Sequence, residues 1–90
     1  MSVEIDVDRH ADHLMVRWSS GRGSGSARFD RLPDTVPEWL GSADDLLEGA
    51  TRRDEGQVLD ALTRWAADTG VVVGVWHDDA GIEVLGSTHP

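Results

Sequence analysis

Two histidines and two aspartates fall inside six residues, DRHADH at positions 8–13. Imidazole and carboxylate together can hold a divalent ion, since nitrogen and oxygen ligands suit several metals. They can also form a general acid–base pair where a shielded cleft shifts their proton affinities. A second such group, His77-Asp78-Asp79, lies near the C-terminus. A third stretch, SSGRGSGS at 19–26, has glycines able to bring backbone N–H groups to an anion, with Arg22 adding charge.

His10, Asp12 and His13 make DRHADH similar to the His-x-His-x-Asp-His signature of metallo-β-lactamase-like hydrolases, with Asp8 standing where the first histidine would be. The resemblance implies a loop after a strand whose His and Asp side chains divide between two metals. It covers six residues, and that fold needs roughly twice this chain's length, so the family is not assigned. SSGRGSGS is followed by strand-like residues and lacks Gly-Lys-Ser/Thr, so it is neither a P-loop nor a dinucleotide fingerprint. Both stretches are read as solvated hairpin turns. No catalytic, cofactor-binding or metal-ligating residue is assigned, and no cofactor is expected. The rival reading is a small-molecule or metal site at the hairpin tips, built from His10, Asp12, His13, His77 and Asp78. It requires both tips to open at the same end of a sheet.

The chain is acidic: 17 acids against 8 bases give a formal charge of −9, and every base is arginine. Such a field repels phosphate backbones and disfavours direct nucleic-acid binding. Residues 13–32 alone are locally basic, through Arg17, Arg22, Arg28 and Arg31. Without cysteine the fold stands on packing, which fits a reducing, cytoplasmic setting. No leader-like or membrane-spanning run is legible.

These residues have to be positioned by elements whose periods are readable. Val3, Ile5 and Val7 alternate with acids, as Leu14, Val16 and Trp18 alternate with Met15 and Arg17, giving two half-buried strands. A third strand is expected at 27–30, with Ala27 and Phe29 inward and Arg28 and Asp30 outward. From Asp34 to Gly49 the pattern turns helical: Pro37 suits a first turn, and Trp39, Leu40, Ala43, Leu46 and Leu47 make one stripe, with Ser42 capping a second piece. A second helix is expected from Asp54, with Gln57 completing a capping box and Gly70 ending it. Val71–His77 and Ile82–Gly86 then flank a DDAG turn, with Gly81 at positive φ. The expectation for residues 1–90 is a single α+β domain, order βββααββ, a five-stranded mainly antiparallel sheet with two helices packed on one face.

Surface residues carry the functional expectation. Asp44, Asp45, Glu48, Glu55 and Asp60 fall on the outer faces of the helices, suiting a basic protein partner, as in small acidic inhibitors, immunity proteins or regulatory adaptors. Trp76 shares its face with Val72 and Gly74, opposite Val71, Val73 and Val75. One of those faces looks away from the helices. An apolar patch around Val72, Trp76 and Leu85 would suit a protein partner or a homodimer. The expected role is protein binding without catalysis, away from membranes and nucleic acid.

Overall fold

The alternation of Val3, Ile5 and Val7 with acids does build a strand. In the computed structural model, which describes residues 3–86, β1 runs Glu4–Arg9. It pairs antiparallel with β2 (His13–Ser19), and β2 pairs antiparallel with β3 (Ser24–Arg31). Register sets Ile5 against Trp18, Val7 against Val16, and Leu14 against Phe29. Strand side chains alternate between faces, so these residues share one face, the inner one that the helices cover.

The next element corrects the expected helix over 34–49. A short strand, β4 (Trp39–Ser42), comes first, antiparallel to β3, and only one helical turn follows, α1 (Ala43–Leu46). Trp39 and Gly41 are buried on the inner face as alternate strand positions, while Ala43 and Leu46 are buried from the helix. The apparent stripe therefore joined two different periods. Gly41 marks the strand, because a Cβ there would lie 2.6 Å from Cγ of Phe29, whose ring fills the space above it. Ser42 ends β4 and caps α1 as expected, its hydroxyl accepting the Asp45 N–H at 3.2 Å.

The long helix α2 (Arg52–Thr69) begins one turn earlier than Asp54 and Gln57 suggest. Its cap is Thr51, whose hydroxyl accepts the Asp54 N–H at 3.2 Å. Asp54 itself is buried, and its carboxylate accepts the Ser20 hydroxyl at 3.4 Å, tying the β2–β3 turn to the helix. Gly70 closes α2 at φ 81°, a left-handed position that glycine reaches without strain. The chain returns as β5 (Val73–His77), parallel to β4, and β6 (Gly81–Leu85), antiparallel to β5.

The result is α+β with two helices, but the sheet has six strands and the order is ββββααββ. Strands lie side by side in chain order, β1 to β6. Val58, Leu62 and Ala66 of α2 and Ala43 and Leu46 of α1 join Leu14, Phe29, Trp39, Val73 and Val75 in one core. Trp18 fixes α1 in place, its Nε1–H donating to the Leu46 carbonyl at 2.7 Å. Trp65 of α2 is only partly buried against this core. No helix is long and apolar enough to cross a membrane among the described residues.

Strand directions decide which loops share an end. The β1–β2 turn (10–12) and the β3–β4 connection lie at one end of the sheet, called upper here. The β2–β3 turn (20–23), α1 and the β5–β6 turn (78–80) lie at the lower end.

Candidate functional site

That arrangement removes the hairpin-tip site. His10, Asp12 and His13 occupy the upper end beside edge strand β1, while His77 and Asp78 occupy the lower end beside β6. Four strand spacings, about 19 Å, separate β1 from β5 in addition to the length of the sheet. Within the upper turn the histidines are already engaged. His10 and His13 stack with 4.4 Å between ring centroids, and His13 Nδ1–H donates to Asp12 at 2.7 Å. That hydrogen bond draws the Asp12 carboxyl below the usual carboxylate range. Among the described residues no three His, Asp or Glu side chains gather in a metal-ligating group.

The outer face of the sheet divides into two unlike halves. Over β1–β3 it is an ion-pair lattice. Asp6 faces Arg17 across the β1–β2 ladder, and Arg17 donates to Asp8 at 2.6 Å. Arg28 donates to Asp30 at 2.9 Å and stands 4.0 Å from Asp12. The locally basic segment thus spends Arg17 and Arg28 on neighbouring acids. At the lower end of this half Glu4, Asp6, Ser19, Ser24 and Ser26 surround an open hollow of about 520 Å³, but its one cation is the same Arg17.

Over β4–β6 the outer face is apolar and uncovered. Trp76 stands directly opposite Ile82, and Val84 lies opposite Gly74. Trp76, Ile82 and Val84 are 41%, 56% and 44% exposed. Pro37 packs onto Gly74, where a Cβ would come within 2.5 Å of the proline ring, and half-buried Leu40 extends the patch onto β4. Of the two faces of β5 the Trp76 face is the exposed one, but two residues grouped with Trp76 lie elsewhere. Leu85 is 5% exposed and points into the core, because it is opposite Val73 on the inner face. Val72 precedes β5 and is half-buried, its carbonyl accepting from the Glu38 and Trp39 N–H groups. Ile82 and Val84 take their places.

Carboxylates gather at the lower end of the same half of the sheet. Ser42, opposite Trp76 in register, is the cap of the turn carrying Asp44 and Asp45, and the β5–β6 turn carries Asp78 and Asp79. A hydrogen bond with Asp44, reinforced by its charge and by Asp79 and Asp45, holds the Asp78 carboxyl above the usual carboxylate range. None of these four acids takes part in an ion pair among the described residues. Glu55, half-buried, lines a neighbouring hollow of about 220 Å³ with Asp44, Leu47, Leu59 and His77. Glu48 is exposed after α1, and Asp60 is exposed on α2 about 140° around the helix from Glu55, outside that hollow. The sequence singled out Asp44, Asp45 and Trp76 separately; that Asp44 meets Asp78 is set by the parallel β4–β5 pair.

No protein-family model, no curated protein and no solved structure matches this chain.

Proposed function

We propose that this chain is a protein-interaction domain that binds a basic partner protein through one composite surface, the uncovered β4–β6 face together with the carboxylates below it. The observation that carries this reading is the presence of two unsatisfied features on the same half of the molecule. Trp76, Ile82 and Val84 leave apolar area in water, and Asp44, Asp45, Asp78 and Asp79 stand together without a cation. A partner presenting apolar side chains flanked by Lys or Arg relieves both at once. The β1–β3 half lacks this character because its charges already cancel in pairs.

Binding of a short leucine–lysine peptide, followed by calorimetry at low and high salt, tests the reading. Affinity is expected to fall as salt rises, and Trp76→Arg and a paired Asp44→Asn, Asp78→Asn variant are each expected to weaken it at least about tenfold. Binding that survives Trp76→Arg unchanged would place the interaction elsewhere. A dimer by light scattering that is indifferent to salt would instead assign the patch to self-association.

A further inference from the structure

The composite surface ends at β6, and β6 is one of the two open edges of the sheet. The two edges differ. β1 carries Glu4, Asp6 and Asp8 on its outer face, with Arg17 locked against Asp8, the charged edge that discourages another strand from pairing. β6 has no proline and one charged residue, Glu83, and four of its five residues are exposed. Its alternate backbone N–H and C=O groups face away from β5 with nothing paired to them among the described residues.

Alternation along β6 specifies what would lie beside it. Ile82 and Val84 project to the outer face next to Trp76, and Glu83 projects to the inner face, where His77 contacts it at 3.2 Å. We propose that the partner adds an extended strand to the β6 edge, with apolar side chains alternating with basic ones. The apolar set would continue the Trp76–Ile82–Val84 row on one face, and the basic set would meet Glu83 and the Asp78–Asp79 turn on the other. A second copy of this chain fits less well. Centred antiparallel pairing of β6 with itself sets Glu83 directly opposite Glu83, and like charges across a ladder are destabilising.

This inference rests on the composite-surface reading, and the two fail differently. The probes are two short peptides of identical leucine and lysine content, one strictly alternating and one spaced at the helical repeat. Calorimetry and hydrogen exchange of the full chain are the readouts. The alternating peptide is expected to bind at least about tenfold tighter and to slow exchange of the Gly81–Leu85 amides. Glu83→Lys is expected to weaken it about tenfold and to gain affinity for an alternating leucine–glutamate peptide. Equal affinity for both peptides, or protection confined to α1 and the 78–80 turn, would overturn strand addition and leave the surface standing. No binding of either peptide would overturn both. A dimer whose β6 amides are protected without peptide would assign the edge to a second copy and overturn the proposal.

Discussion

Trp76 and Ile82 face each other across the β5–β6 ladder on the side of the sheet that no helix covers. Their exposure separates stability from recognition. Ile82→Asp is therefore expected to cost only about 1 kcal/mol, the loss of a cross-strand pair and of strand propensity, well short of a core truncation. Urea denaturation checks this, and a loss of several times that amount would show that the patch is packed in solution.

Gly41 behaves in the opposite way. Its missing side chain is the seat of the Phe29 ring, so Gly41→Ala forces the ring or β4 to move. A cost of about 1–3 kcal/mol is expected, the range for overpacking a filled core. A denaturation midpoint equal to the parent's would mean that β4 is not paired beside Phe29 as described.

Trp18→Phe keeps most of the ring and removes one donor. The Leu46 carbonyl then loses its partner in a buried setting, with an expected cost of about 1–3 kcal/mol. Hydrogen exchange should show the 43–47 backbone opening more readily than α2. Equal protection of both segments in the variant would sink the idea that this bond anchors α1.

Asp78 gives a pH signature. Its proton is held more tightly in the native state than in the unfolded chain, so its contribution to stability declines as pH rises through the carboxylate range. Asp78→Asn removes the repelled charge and is expected to raise the melting temperature near about pH 7, with the difference vanishing near about pH 3, where the aspartate is largely protonated in either state. A melting temperature lowered at the higher pH would show that the Asp78 charge has a stabilising partner.

The edges of the fold were readable where one period runs unbroken. Val3–Val7 and Leu14–Trp18 alternate cleanly, and Val58, Leu62 and Ala66 recur at the helical spacing, so β1, β2 and α2 follow from local order. β4 did not, because four residues are too few to display a period and the residue that makes them a strand is a glycine. What Gly41 does depends on Phe29, twelve positions earlier, which no local window contains. The cap of α2 differs from the expected Asp54 for a smaller reason. Asp54 has the right chemistry for a cap, but Thr51 occupies that position, and Asp54 turns its carboxylate to Ser20 instead. For the candidate site, Trp76 and the helical acids were legible as types, whereas the contact of Asp44 with Asp78 joins residues on opposite sides of α2 in the chain.

The parallel β4–β5 pair also sets an order of assembly. Strands β1–β4 are joined by turns and short connections, and β5–β6 by a tight hairpin, so each group can form from near neighbours. β4 and β5 meet only after residues 43–72 have looped over the inner face, a closure that must come before its contacts offer any reward. Folding therefore has a seam. It lies between Trp39 and Val73, and it is where a nascent chain would stand open longest, with two half-sheets awaiting their join.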